Sequence, residues 1–292
     1  MKAKQILKSI TPEKNISKRE KIIQYYQDCD SSYQHWGMHE IYEMHYGYWD
    51  KTVKNHSDSL MRMNHFLSGK MKINSKDKVL DAGCGVGAVS IWLAKQYKDI
   101  KITGINISKM QIERANFFAK KLKVDNRINF LERDYLNTGF ADESFDVIFA
   151  VESVCHTENK DDFIREAYRI LKPGGRLVVG DFFLIKNKLN KFEKKIMHLY
   201  LDGWAISNLA HKDSFFKNLK LAGFKNVKCL DVTINILLSS KIMFKKGCFG
   251  LLVDKIIKHK NKIQYANTIT CFFQFIALKM GLWKYLIFYA EK

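Results

Sequence analysis

Between Val79 and Asp181 short apolar runs alternate with longer stretches whose apolar positions recur every three to four residues. The pattern predicts strands over residues 78–82, 101–105, 128–132, 145–151 and 176–181. Between them it predicts helices over 88–96, 109–121 (Ile112, Ala115 and Ala119 on one face) and 160–171, the last closed by Lys172-Pro-Gly-Gly175. Strands that alternate with helices need crossover connections, and crossovers make a parallel sheet. After Phe183 the rhythm changes. Helices are expected over 188–204 and 212–222, a strand over 227–233, mainly helix over 235–280, and a last strand over 285–291. Ahead of the sheet, residues 1–20 are polar and frayed or loosely helical, and residues 21–70 read as helices rich in Tyr, His, Trp and Met. The expected fold is a doubly wound α/β domain with a seven-stranded, mostly parallel sheet, N-terminal helices and a helical cap.

At 292 residues the chain can bury one large core with a cap more readily than two independent cores. Its formal charge of +19 fits several partners, and the charge is uneven: residues 186–262 hold 17 Lys against 5 acids. The six cysteines show no CxxC pair and no metal-ligand spacing, so they read as reduced thiols and no metal site is expected. Met1-Lys-Ala-Lys-Gln begins without an apolar core, and the strongest apolar run, near 271–278, is too short to span a bilayer. The expected location is cytoplasmic.

The first strand leads into Asp81-Ala-Gly83-Cys84-Gly85-Val-Gly87 and then a helix, a nucleotide-handling arrangement in which glycines bring the backbone close to a ligand. Gly83-Cys-Gly85-Val-Gly-Ala88 also satisfies the dinucleotide fingerprint. That rival wants an acid at the end of the second strand, and the strand here ends Thr103-Gly-Ile-Asn106. A carboxylate at Asp81 would repel a pyrophosphate and suits a ligand carrying a sulfonium and an ammonium group.

Val79-Leu-Asp-Ala-Gly-Cys-Gly-Val-Gly87 resembles the first motif of class I S-adenosylmethionine-dependent methyltransferases. Phe145-Asp-Val-Ile-Phe-Ala150 resembles their fourth-strand motif, and Arg169-Ile-Leu-Lys-Pro-Gly-Gly-Arg-Leu177 the turn before their fifth strand, so that the likeness covers about residues 60–185. Gly104-Ile-Asn-Ile-Ser-Lys-Met-Gln111 is similar to a segment of the branch that acts on lipids and isoprenoids: sterol and tocopherol methyltransferases, geranyl diphosphate methyltransferases and cyclopropane fatty acid synthases. The resemblance implies a Rossmann-like methyltransferase fold and S-adenosyl-L-methionine as cofactor. It implies cofactor contacts from Asp81, Gly83, Cys84, Gly85, Gly87, Asn106, Ser108 and Gln111, with Asp134 and its neighbour Tyr135 beside the adenine. Ser108 also reads simply as a helix cap and Asp134 as a solvated turn residue. The implied organisation is an N-terminal substrate-covering segment (1–70), a cofactor-binding core (71–185), and cap helices with the last strands of the same domain (186–292).

A methyl on a sulfonium is already activated, so such an enzyme aligns the reacting atoms and handles one proton. Ala150-Val-Glu152-Ser-Val-Cys-His156 follows the fourth strand, where ligands of open α/β sheets gather. It resembles the corresponding run of the sterol and tocopherol branch, which makes Glu152 and His156 candidates for a proton acceptor or a carbocation-stabilising pair. Tyr33-Gln-His-Trp36 and His45-Tyr46-Gly-Tyr48-Trp49-Asp50 resemble the aromatic segment that folds over substrate in that branch. From it His45, Tyr46 and Tyr48 become catalytic candidates through cation–π attraction, against the plainer reading of a packed helix. A nucleic-acid acceptor is disfavoured: the fourth strand lacks an Asn/Asp-Pro-Pro-aromatic loop, Cys155 lacks a Pro-Cys or Thr-Cys setting, and no RNA-binding module is appended.

The expected acceptor is therefore a small apolar molecule, isoprenoid, terpenoid or otherwise lipid-like, with C-methylation favoured over O- or N-methylation. A non-catalytic cofactor-binding module is the alternative of a different class. Residues 236–262 interleave bulky apolar residues with lysines, which suits peripheral contact with an anionic membrane.

Overall fold

The computed structural model describes residues 16–30, 43–257 and 261–292, with backbone alone over 254–257. Residues 1–15 and the run Tyr33–Trp36 lie outside the described residues. Seven strands form one sheet: β1 (Lys78–Ala82), β2 (Lys101–Asn106), β3 (Ile128–Glu132), β4 (Phe145–Val151), β5 (Leu171–Leu184), β6 (Lys225–Asp231) and β7 (Trp283–Glu291). Their order is β3-β2-β1-β4-β5-β7-β6. The first five pair in parallel, and β7 runs antiparallel between β5 and β6. The helices are α1 (Lys18–Asp28), α2 (His56–Met71), α3 (Ala88–Gln96), α4 (Lys109–Lys121), α5 (Lys160–Ile170), α6 (Lys191–Leu201), α7 (Lys212–Leu221), α8 (Thr233–Ile257) and α9 (Lys262–Lys279). No described helix is long and apolar enough to cross a membrane.

Helices cover both faces of the central strands, which is why Val79–Ala82 of β1 is apolar and buried without alternation, Asp81 excepted. One core contains Val79, Trp92, Phe130, Phe149 and Trp283, and the other Leu80, Phe163, Phe183, Phe215 and Phe288. The edge strand β6 is largely exposed and carries Lys225 and Lys228, a charged edge that discourages pairing with another chain. Side-chain caps set two helix starts beside the sheet: Ser108 Oγ accepts from Gln111 N for α4, and Asn159 accepts from Asp161 N for α5.

The expectation of helices throughout 21–70 fails over residues 43–55, which are extended or turned. Tertiary pairing overrides any local helical preference there. Gly47 N and Trp49 Nε1 donate to Ser239 Oγ at 3.1 and 2.8 Å, Trp49 N donates to Asn235 O at 2.8 Å, and Tyr48 N donates to Ser59 O at 2.8 Å. The fifth strand is also longer than expected. It begins at Leu171, absorbs the Lys172-Pro-Gly-Gly turn with a register shift opposite β4, and then pairs with β7 from Arg176 to Leu184. The helix expected over 188–204 is shorter, and a 3-10 turn over Asp202–Trp204 finishes it. Helix α1 is tied down from two sides, as Arg114 Nη2 donates to Asp30 Oδ2 at 3.0 Å and Gln264 Nε2 to Asp28 O at 2.9 Å.

The buried Phe130 ring occupies the space that a side chain would need at two glycines. A Cβ on Gly87 would meet its Cζ at 2.5 Å, and a Cβ on Gly104 its Cδ1 at 2.5 Å. Replacing Gly104 with alanine should therefore overpack this layer and cost about 1–3 kcal/mol. Thermal or urea unfolding reads the effect directly, and an unchanged midpoint would mean that the ring has room to retreat.

Candidate active site

Strand β1 delivers Asp81 to the carboxyl end of the sheet, and the chain then turns back sharply. Gly83 (φ +91°) and Gly85 (φ +54°) adopt left-handed backbone that side chains disfavour. Gly83 N and Cys84 N both donate to Ile105 O, at 2.9 and 3.0 Å, so the loop is fixed to β2. A Cβ at Gly85 would meet only the Met44 methyl, 3.8 Å away, leaving that side of the loop open to a cavity. Asp81 is buried, and Ser90 Oγ donates to its Oδ2 at 2.7 Å. Burial still dominates and pushes the Asp81 carboxyl up to about 7.

The cavity gathers Asp81, Gly83, Cys84 and Gly85 with Glu152, His156, His45 and Tyr46. Glu152 has left-handed backbone, φ +50°, uncommon for a residue of its size and a feature that concentrates at functional sites. Its Oε1 accepts from Tyr46 N at 2.7 Å and from Tyr285 OH at 2.9 Å. These bonds favour the anion, yet burial outweighs them and raises the carboxyl to about 8. His156 is buried within a 3-10 turn, shares a 3.1 Å hydrogen bond between its Nε2 and Tyr26 OH, and is held by burial down to about 4, hence neutral at physiological pH. The backbone of Ala205 favours the protonated ring but does not offset burial.

Tyr46 is enclosed by Phe182, Trp204, Trp283 and Tyr285 at centroid distances of 5.6, 6.5, 6.2 and 6.0 Å. Its hydroxyl donates to Gln274 Oε1 at 2.9 Å. With the hydroxyl committed to Gln274 and the N–H to Glu152, only the ring remains for the cavity. His45 Nδ1 lies 3.0 Å from Tyr46 O, while its buried Nε2 has no partner among the described residues. Tyr48 does not line the cavity. It stacks on Phe66 at 4.5 Å, which corrects its placement beside the reacting atoms.

A second cavity, beyond the ends of β2 and β3, contains Asn106, Asp134 and Tyr135, and His156 lines both cavities. Lys18, Arg19 and Ile22 of α1 border it. Ser108 and Gln111 line neither cavity: Ser108 caps α4, and Gln111 Oε1 accepts from Asn106 Nδ2 at 2.7 Å, so Gln111 orients Asn106. Gly87 likewise lies behind the loop against Phe130. Tyr135 OH donates to Ser153 O at 2.9 Å, and Asp134 Oδ1 accepts from Leu136 N at 2.9 Å.

Three residues that organise the site escape the sequence reading. Tyr26, from α1, reaches His156 across the cavity and has no local signature. Asp181, in β5, accepts from Cys155 N at 2.9 Å and from Phe182 N at 2.8 Å, and burial raises its carboxyl to about 6. An acid ending the apolar run Leu177-Val-Val-Gly180 is the signal that could have found it. Lys160 is buried with its ammonium among oxygens: Asn208 Oδ1 at 2.7 Å, Asn208 O at 2.8 Å, Cys155 O at 3.3 Å, and Thr157 O. It fixes the loop that presents His156.

A buried carboxyl at one end, open backbone between, and a second cavity holding Asn106, Asp134 and Tyr135 suit a ligand with a cationic amino-acid end and a nucleoside end. A methyltransferase-domain family matches residues 80–179. The chain is 35% identical over 190 residues to a 27-O-demethylrifamycin SV methyltransferase of Amycolatopsis mediterranei, covering 65% of this chain and 69% of that one. It is 32% identical to a sterol 24-C-methyltransferase of Debaryomyces hansenii over 69% of this chain, but spans about half (52%) of that relative. Among solved structures, a Mycobacterium tuberculosis cyclopropane synthase superposes with TM-score 0.78 at 14% identity, covering 93% of this chain and 98% of that one. A geranyl diphosphate methyltransferase bound to GPP and sinefungin superposes with TM-score 0.73 at 17% identity, covering 94% and 98%. At these identities the two structures share the fold. By sequence and fold together, the chain belongs to the class I S-adenosylmethionine-dependent methyltransferases.

Proposed function

We propose that the cavity accepts a small apolar molecule, isoprenoid or otherwise lipid-like, and that the methyl is delivered to carbon. The observation that carries this reading is Glu152, a half-buried, cavity-lining carboxyl on left-handed backbone whose ionisation its surroundings oppose. Apolar walls from Met44, Phe182, Trp204, Ile242 and Met243 support an apolar acceptor. The names of the sterol and geranyl diphosphate enzymes that this chain resembles support it as well. Within this reading Asp81, Gly83, Cys84 and Gly85 hold the amino-acid end of the cofactor, Asn106, Asp134 and Tyr135 the nucleoside end, and residues 236–262 make peripheral contact with a membrane.

The cofactor supplies an activated methyl on a cationic sulfur. Tyr46 holds Glu152 through its N–H and presents a ring face to positive charge. When an alkene carbon takes the methyl, the neighbouring carbon becomes cationic. Glu152 as carboxylate stabilises that charge, and Glu152 or neutral His156 takes the adjacent proton while its electron pair restores a double bond. An O-methylation reading has one observation in its favour, the name of the Amycolatopsis relative. A panel of prenyl diphosphates, sterols, quinones, phenols and amines, incubated with methyl-labelled cofactor and read by mass spectrometry, decides between them.

Two outcomes test the roles. Glu152→Gln keeps an oxygen for Tyr46 N and Tyr285 OH but loses the charge, and His156→Ala removes the base. At least one should lower turnover by about 10²–10⁴-fold while cofactor affinity changes little. If both turn over within a few-fold of the parent, neither group does chemistry. The second outcome concerns pH. Burial lifts Asp81 to about 7 and Glu152 to about 8, so both carboxyls are largely protonated in the free protein under mildly acidic conditions. A cationic ligand favours their ionised forms, so protons compete with it. Affinity for S-adenosylmethionine should therefore tighten between about pH 6 and 8.5, by up to about tenfold per unit for each proton displaced. Adenosylhomocysteine, which lacks the sulfonium, should show a shallower slope, and calorimetry in buffers of different ionisation enthalpy should register proton release. A flat profile would remove the electrostatic argument at both acids.

A further inference from the structure

Helix α8 presents two different faces. Ser239, Ile242, Met243 and Lys246, spaced i, i+3, i+4 and i+7, line the active-site cavity. Another stripe on the same helix points away from the protein: Ile234, Leu238, Lys241, Lys245, Phe249 and Leu252, all exposed, follow one another at helical spacing. The apolar members are unusually bare, with Ile234 75%, Phe249 69%, Leu252 58% and Leu238 42% exposed. Single exposed apolar residues are ordinary, whereas a row of four along one helix marks a contact surface. Lysines stand between the apolar positions, and no acid occurs from Thr233 to Val253.

The helix is braced from behind, so the stripe is a fixed surface. Ser240 Oγ donates to Gln274 Oε1 at 2.6 Å, and Gln274 Nε2 returns a bond to Ser240 O at 2.9 Å. Phe244 packs on Phe272 with centroids 4.9 Å apart, and Gly247 lets α8 approach the α9 backbone, since a Cβ there would lie 3.0 Å from Phe272 N.

We propose that the outer stripe of α8 docks on an anionic lipid surface, so that one helix is both the membrane contact and a wall of the active-site cavity. Apolar side chains flanked by cations suit the boundary between acyl chains and acidic headgroups. A polyanion such as nucleic acid would match the lysines and leave the apolar row without a partner. Docking of this kind rests on and deepens the membrane contact proposed for residues 236–262, naming the face and the lipid charge, and it stands whatever molecule is methylated.

The test is sedimentation of the full chain with lipid vesicles, without acceptor. Vesicles of phosphatidylcholine doped with phosphatidylglycerol should carry the protein down, pure phosphatidylcholine far less, and added salt should reverse binding. A lysine near such a surface is worth roughly fivefold in partitioning, so Lys241→Ser/Lys245→Ser should weaken binding by about tenfold or more. Phe249→Ser/Leu252→Ser should weaken it comparably. Retention of the thermal shift produced by adenosylhomocysteine reports that each variant is folded. Equal binding to neutral and anionic vesicles, or parent-like binding by either double variant, overturns the proposal. So does loss in the lysine variant alone, which would describe a bare polyanion site. A concentration-dependent dimer abolished by Phe249→Ser/Leu252→Ser would assign the stripe to a second copy of the chain and overturn it equally.

Discussion

Three carboxyl groups stand on adjacent parallel strands, where the sheet meets its cavity and water is scarce. Asp81 is in β1, Glu152 follows β4 and Asp181 is in β5, and burial raises all three above their ordinary values. Isolated buried charge is costly, so such groups need donors or remain neutral. Each has donors of its own: Ser90 for Asp81, Tyr46 N and Tyr285 OH for Glu152, and two backbone amides for Asp181. The surrounding architecture serves this constraint. Strand β7, inserted antiparallel, brings Tyr285 to Glu152, and the extended N-terminal segment brings Tyr46.

That segment also explains how a cap and a sheet become one site. Tyr46 meets Glu152 through its backbone, Gln274 of α9 through its hydroxyl, and a ring of aromatic side chains through its face. Gln274 in turn holds α8 and accepts at its backbone oxygen from Trp283 Nε1 at 3.0 Å. Cap, sheet and N-terminal segment thus share a single buried polar network, in which every member depends on the others being in place. Helix α1 adds a roof across both cavities, with Tyr26 over one and Lys18, Arg19 and Ile22 over the other.

The sheet was legible because its signals are local. Apolar runs bounded by glycines, capped helices and the Asp81–Gly87 loop announce themselves within a few residues, while Glu152 and His156 follow from their place after the fourth strand and from the family resemblance of the run that holds them. What could not be read depends on distant partners. Residues 43–55 hold aromatic residues compatible with helix or strand, and only Ser239, Asn235 and Ser59 decide for extended backbone. Ser108 and Gln111 carry the motif of ligands, yet their side chains turn inward to cap a helix and hold Asn106. Tyr48 resembles its neighbour Tyr46 in sequence, but it stacks on Phe66 of α2, a distant partner that no local signal announces. Lys160 has no signal of its own in the sequence, since the four oxygens around its ammonium come from Cys155, Thr157 and Asn208.

Phe130 has a consequence for how this sequence can vary. Its ring fills volume vacated by Gly87 on the loop and by Gly104 on β2, so the three positions form one packing unit although they lie far apart in the chain. Gly87 belongs to the loop motif, and two constraints hold it to glycine without any ligand: left-handed backbone at φ +83° and the aromatic neighbour. Trimming the Phe130 ring alone would therefore not admit alanine at Gly87, because the left-handed backbone remains and the Ala115 Cβ would lie 3.1 Å from the new side chain. The last glycine of the motif is thus fixed by the turn and the packing behind it, and its presence reports on the fold of the loop before it reports on a ligand.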